Sequence, residues 1–170
     1  MTYNDWAVWT VKRGKQRINP MNGVMIRVAT LPADLPQIYR VRYQVFQIEQ
    51  GVDPSLEFDG RDENALHILA SIHGKPVGTA RIRFLNAHLA KVERVAVLPE
   101  VRGLGIGRKI MEEILTLLTE KQIEEVQIHA QEQVRAFYTR LGFEPEGEIF
   151  EEADIPHVKM KKLLHSRVDG

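Results

Sequence analysis

Apolar and polar residues alternate from Val24 to Ala29, the period of a half-buried strand. Ile38, Val41, Val45 and Ile48 then recur at helical spacing. This predicts a helix capped by Asp34, starting near Leu35 and ending at Gly51, with Pro32 and Pro36 tolerated near its start. Ala65–Ile72 and Val77–Phe84 read as strands joined at His73-Gly74-Lys75-Pro76, a hairpin signal. His88–Val97 follows a short turn at Asn86-Ala87, so three strands form an antiparallel meander. From about Gly105 to Lys121, Ile106, Ile110, Met111, Ile114, Leu115 and Leu118 build one apolar stripe of a long helix. Ile123–Ala130 is a further strand, and Gln131–Leu141 a short helix ended by Gly142. Glu148–Glu151 and Pro156–Leu164 make a closing hairpin. The order predicts an α+β (mixed α/β) fold, a central mixed sheet with helices on both faces.

At 170 residues the chain fits one domain with a real core. Residues 1–23 read as an N-terminal extension and 24–170 as the domain. The extension holds Trp6, Val8 and Trp9, then the basic run 12–17 and turn signals at Asn19-Pro20 and Asn22-Gly23. It is a frayed terminus or a segment whose tryptophans dock on the body or on a second subunit. Zero net charge argues against a nucleic-acid or membrane-surface partner. No apolar run reaches transmembrane length, and the start lacks a signal-peptide pattern. The absence of cysteine removes disulfides and thiolate chemistry and fits a cytoplasmic protein. Six histidines show no zinc spacing, so no metal is expected. Residues 51–64 are acidic and turn-rich, and their carboxylates read better as a substrate-side loop attracting a cation than as a calcium loop.

The chemistry concentrates between Val95 and Lys109. A Val-Ala-Val strand end, a turn at Pro99, Arg102 and glycines at 103, 105 and 107 lead into the long helix. Glycine lets a ligand approach the backbone, and a helix start offers unpaired N–H groups and partial positive charge. Together these make an anion site suited to phosphates. It is neither a Walker loop, because Gly107 is followed by Arg108 and Lys109, nor the G-x-G-x-x-G dinucleotide fingerprint.

The spacing Arg102-x-x-Gly105-x-Gly107 after that strand resembles the acetyl-CoA signature of the GNAT N-acetyltransferase superfamily. Val134–Phe143 resembles its A-x-x-F-Y-x-x-x-G-F segment. A closer resemblance, to the YjcF/ElaA-like branch, rests on Arg42-x-x-Val45-Phe46-x-x-Glu49-Gln50-Gly51-Val52, His67, Glu93-Arg94-Val95-Ala96-Val97, Ala130-Gln131, Phe137-Tyr138 and Ile155-Pro156-His157-x-x-Met160. It covers residues from about 24 to 164. The resemblance implies an acetyl-CoA-dependent N-acetyltransferase in which an amine attacks the thioester directly. Val95, Ala96 and Val97 would lie along pantetheine. Arg102, Gly103, Leu104, Gly105, Ile106, Gly107 and Arg108 would hold the pyrophosphate.

Such a reaction needs a proton for the thiolate and a neutral amine. The resemblance gives Tyr138 the acid role; spacing alone leaves it a core aromatic beside Phe137. Glu93 is the candidate base, because strict alternation puts Lys91, Glu93, Val95 and Val97 on one face. Its alternative is an ion pair with Arg81, Arg83 or Lys91. Arg42, Glu49, Gln50, His67 and His157 are the substrate-side candidates, each also explicable as a structural contact. Histidine as a residue type suits a proton shuttle, which makes His67, His129 and His157 candidates, though a lone histidine is more often a satisfied structural donor. The expected partner is a small-molecule or protein amine, with a homodimer as superfamily habit. The rival readings are a non-catalytic acyl-CoA-binding module and an interaction protein with a decayed site.

Overall fold

β2 (Leu66–Ile72), β3 (Lys75–Phe84) and β4 (Leu89–Val97) form the expected meander. The computed structural model describes residues 22–165. The extension expected at 1–23, with Trp6, Val8 and Trp9, lies outside the described residues up to position 21. β1 (Val24–Val28) pairs antiparallel with β2. The turn between β2 and β3 is tighter than expected. His73 and Gly74 both have positive φ, 48° and 79°, as a two-residue hairpin turn requires, so β3 already begins at Lys75.

β4 leads through the glycine loop into α3 (Ile106–Glu120), which crosses over to β5 (Glu125–Gln131). That crossover makes β4 and β5 the parallel pair of the sheet. α4 (Arg135–Arg140) follows β5, and β6 (Glu144–Glu152) and β7 (Ile155–Leu163) form the closing hairpin, with β7 inserted beside β5. The strand order is β1-β2-β3-β4-β5-β7-β6. The fold is the α+β architecture the hydrophobic pattern predicts.

On one face, Ile106, Ile110, Met111, Ile114 and Leu118 of α3 pack on Ile68, Ala80, Ile82, Val92, Val126, Ile128 and Met160. Burying each large side chain contributes about 1.5–3 kcal/mol before chain entropy is counted. Gly78 sets the depth of this contact, because a Cβ there would stand 2.8 Å from Ile110 Cδ1.

The other face is covered by α1 (Leu35–Arg42) and its continuation, where Val41, Val45 and Phe46 meet Ala96. Three expectations change here. The helix does not run to Gly51 as an α-helix; from Tyr43 to Glu49 it widens into a π-helix. The slower rotation carries Ile48 off the apolar stripe, and it is 60% exposed. Asp34 stands at the N-cap but does not cap: its carboxylate takes Arg27 at 2.6 Å and the Thr30 N–H at 2.7 Å instead. A short helix, α2 (Pro54–Glu57), sits where the sequence predicts only loop.

Ile110→Ala, in the fully buried α3 stripe, is expected to cost about 2–5 kcal/mol in urea unfolding. A loss under about 1 kcal/mol would contradict this packing.

Candidate active site

The last paired residues of β4 and β5 are Val92 and Ile128. Beyond them β4 continues to Val97 and β5 to Gln131, unpaired with each other. A bulge at this point bends β4. Arg81 pairs with Glu93 and Thr79 with Ala96, so Ala80 faces two residues of β4, and Arg94 takes φ 54°. From here the two strands part like a V, in which residues 93–97 have no β5 partner and Val97 O accepts from Arg102 instead.

The bulge also breaks the alternation assumed from the sequence. Val95 and Val97 pack with the α3-side core, whereas Glu93 meets Arg81 and Arg83. Glu93 and Val95 therefore lie on opposite faces of the sheet, not on one.

The glycine loop closes one end of the V. Gly103 and Gly105 take φ of 77° and 82°, conformations that side chains resist. A Cβ at Gly105 would meet nothing within 4 Å, so its outer side is open. Gly105 is the N-cap of α3, no side chain caps that helix, and its first turn carries no acid. The first amides of α3 are thus available to an anion. Gly107 lies between Phe137 and Val97, which ties α4, α3 and the end of β4 together. These residues fit a pyrophosphate-bearing group. Leu104 and Ile106 pack against the core and carry the loop. Arg108 is exposed and reaches Glu112 at 2.7 Å. Arg102 donates through Nε to Val97 O at 3.0 Å and grips Glu49 with both terminal nitrogens, at 2.8 and 2.9 Å. Glu49 is therefore a partner of the glycine loop in this structure.

On the α1 face lies an ion network. Arg42, 1% exposed, donates to Glu57, to Asp62 at 2.7 Å and to Glu57 O. Each of its nitrogens has an internal partner, so Arg42 is not presented to a ligand. Arg81 reaches Asp59, Asp62 and Glu93, the last at 2.6 Å. His67, also buried, contacts Asp62 O at 2.8 Å, and burial lowers its pKa, keeping it neutral. Three carboxylates of the acidic stretch are thus engaged by internal arginines rather than attracting a cation from solvent.

The expected base is part of this network. Burial alone would raise the Glu93 pKa, but hydrogen bonds from Arg83 and Arg81 and the charges of Arg81 and Lys91 hold it at about 2. A carboxylate held that low is a poor proton acceptor at neutral pH. The ion-pair alternative describes Glu93 in this structure.

Further along the same face, His129 stands on β5 one residue past Ile128. Its Nδ1 is 3.3 Å from Glu152 Oε1 and 3.4 Å from Lys91 Nζ. Its ring meets Phe150 edge-on at 5.0 Å. His157 donates from Nδ1 to Ile155 O at 2.6 Å and turns Nε2 toward Glu152 Oε2 at 3.6 Å. The hydrogen bond with His129 keeps Glu152 below its usual range, against the opposing effect of burial. Gln131 donates to Gln50 Oε1 at 2.9 Å, joining the end of β5 to the end of the π-helix.

Tyr138 lies on the α3 face, 7% exposed, with Phe137 and Phe143 ring centroids at 4.9 and 5.9 Å. It is a core aromatic by contact, and it borders the same α3–α4 junction as Gly107 and Phe137.

Sequence reasoning passed over Glu152, Arg94 and Gln131 as side chains of this site. β5 carried a usable signal: Gln127, His129 and Gln131 alternate with buried Val126, Ile128 and Ala130, so a central strand keeps one polar face. Arg94 carried none, because its placement depends on the bulge.

Residues 35–164 match the family described as Acetyltransferase (GNAT) domain. The Bacillus subtilis protein YyaT is 37% identical over 84% of this chain and 98% of its own length. The uncharacterized N-acetyltransferase YjcF of the same organism is 32% identical over 79% and 96%. The crystal structure of Escherichia coli ElaA superposes with a TM-score of 0.73 at 28% identity, covering 82% of this chain and 99% of that one. The YjcF/ElaA-like resemblance and the fold read from the sequence therefore stand.

Arg81→Met leaves Glu93, Asp59 and Asp62 short of a partner and is expected to cost about 3–5 kcal/mol at pH 7. The Glu93 pKa is depressed on folding, so its contribution is full above its ordinary value of 4.5 and is lost as pH falls toward about 2. The gap between wild type and variant should therefore narrow in acid. Urea midpoints that differ equally at pH 7 and pH 3 would contradict the network.

Proposed function

The chain belongs to the GNAT acetyltransferase family, and on that premise we propose that it uses acetyl-CoA to acetylate a primary amine of a small molecule or a protein. The family supports acyl transfer of N-acetyltransferase type in general. The observation that carries the finer reading is the V between β4 and β5, closed by an uncapped helix start behind Gly103 and Gly105.

Backbone groups of Val95, Ala96 and Val97 would run along a pantetheine chain as a strand does. Amides from Arg102 to Arg108 would hold the pyrophosphate, with the α3 dipole adding to the attraction. Bound acetyl-CoA supplies the activated acyl group. Arg102 already holds Val97 O and Glu49, so occupancy of the V would bring its guanidinium against added negative charge. Tyr138 would protonate the departing sulfur: a phenol is neutral at pH 7 and can donate. Glu49, Gln50 and His157 border the opposite face, where the amine would approach. Arg42 and His67 would act at one remove, by fixing the acidic loop. No helix of the described residues is long and apolar enough to cross a membrane. A cysteine-free chain with this chemistry suits the cytoplasm.

A second reading, a non-catalytic acyl-CoA-binding module, draws on one observation: the family-like carboxylate Glu93 is neutralised by arginines.

Thiol release from acetyl-CoA across a panel of primary amines separates the two. Turnover by the wild type, reduced roughly 100-fold in Tyr138→Phe with CoA affinity kept within a few-fold, supports the transferase. Tight CoA binding without turnover of any amine supports the binding module instead.

A further inference from the structure

Glu93 leaves the proposed transferase without a base. The same face of the sheet offers another. We propose that His129 is the base that takes the proton of the acceptor amine, and that Glu152 is the residue that positions it. This rests on the reading of the V as the acyl-donor site.

His129 is the β5 residue next after the last β4 partner, so it stands where the V begins to open. It points to the face of Glu93 and Lys91, whereas Tyr138 packs on the α3 face. An acyl group lying in the V would have a proton acceptor on one face and a proton donor on the other. That is the separation direct transfer needs.

The ring is oriented. Glu152 Oε1 lies 3.3 Å from Nδ1, and Phe150 packs edge-on at 5.0 Å. With Nδ1–H donated to the carboxylate, the Nε2 lone pair is left bare. The contacts of His129 to described side chains that involve its nitrogens all fall on Nδ1, so Nε2 is free for substrate. The side chain is 27% exposed, against 1% for His67, so an amine can reach it.

The charged groups facing this ring are identifiable from each neighbouring strand. Lys91 of β4 lies 3.4 Å from Nδ1 and 3.3 Å from Glu93 Oε1. Glu152 comes from β6, and His157 from β7 approaches its second oxygen at 3.6 Å. Lys159 of β7 is the backbone partner of His129, and its ammonium turns to Glu146 at 3.4 Å. Lys91 and Glu152 compete for one nitrogen. If Lys91 donated to Nδ1, the proton of a neutral ring would sit on Nε2 and the base would be blocked. The proposal therefore fixes a tautomer.

The step balances. The acceptor ammonium gives one proton to His129 Nε2, and the neutral amine nitrogen then bonds to the acyl carbon and sheds its remaining extra proton to solvent. The C–S bond breaks, and Tyr138 gives a proton to sulfur. His129 then loses its proton to solvent, and Tyr138 regains one, leaving an amide and a free thiol.

The test has two arms. In the free protein, ¹⁵N NMR of the imidazoles should show His129 protonated at Nδ1 and bare at Nε2, a preference lost in Glu152→Gln. An Nε2–H ring in the wild type overturns the proposal. In the second arm, acetyl-CoA is offered with ethanolamine, putrescine, glycine, lysine methyl ester and a short peptide. For any amine turned over, His129→Gln should lower kcat/KM by roughly 100-fold or more near neutral pH. The deficit should shrink as pH rises toward the amine's own pKa, imidazole should partly rescue His129→Ala, and calorimetry should show CoA affinity unchanged. Wild-type kcat/KM in a folded His129→Gln overturns the base and leaves the transferase standing. No turnover by a wild type that binds CoA removes the transferase and this base with it.

Discussion

One extra residue in β4 governs the working half of this molecule. Ala80 of β3 faces two residues of β4, and Arg94 absorbs the excess with a left-handed φ of 54°. The bend ends pairing with β5 after Val92, leaves 93–97 without a β5 partner, and reverses which face each side chain meets. Arginine contacts hold the bulge in place. Arg94 reaches the final carbonyls of α2, at 3.1 and 3.3 Å, while Arg81 pins Glu93 on the adjoining residue. Burial and the nearby charges of Arg81 and Arg42 lower the Arg94 pKa, while Asp59 and Glu57 oppose them. The network explains why four arginines sit on one side of a sheet in a chain of zero net charge: Glu57, Asp59, Asp62 and Glu93 meet them there.

This arrangement divides the labour between the two faces of the sheet. The α3 face is apolar, close-packed and carries Tyr138. The α1 face is covered by α1 and its π-helix over β3 and β4, and the polar residues of β5 and β7 lie beyond that cover. The π-helix matters because its end delivers Glu49 to Arg102 and Gln50 to Gln131. One segment thereby touches both arms of the V. An α-helix through the same residues would have rotated these two side chains to other directions.

Much of this was legible in the amino-acid order. The meander, the α3 stripe and the glycine loop follow from periodicity and from what glycine permits, and the strand and helix order points to one fold class. The misses share a cause. Alternation is a local rule, and a bulge or a π-turn changes its phase without marking the sequence. Alternation alone therefore groups Glu93 with Val95, and helical spacing groups Ile48 with the apolar stripe. Asp34 has the right residue type for a cap, yet Arg27 on β1 competes for its carboxylate and wins. The acidic stretch looked solvated because its partners, Arg42 and Arg81, are 20 and 19 residues away from Asp62 in the chain. His129 was visible as a histidine on a central strand. Its distinction comes from the point where two strands part, which only the register shows.

The proposed activity depends on the V between β4 and β5 serving as a CoA site. Calorimetric titration of the purified protein with CoA, beside a folded Gly105→Trp variant, tests it most directly. A tryptophan there fills the open side of the loop and cannot easily hold φ 82°. Micromolar binding to the wild type that is lost in the variant is the predicted result. Absence of binding to the wild type, or equal binding to both, would contradict it.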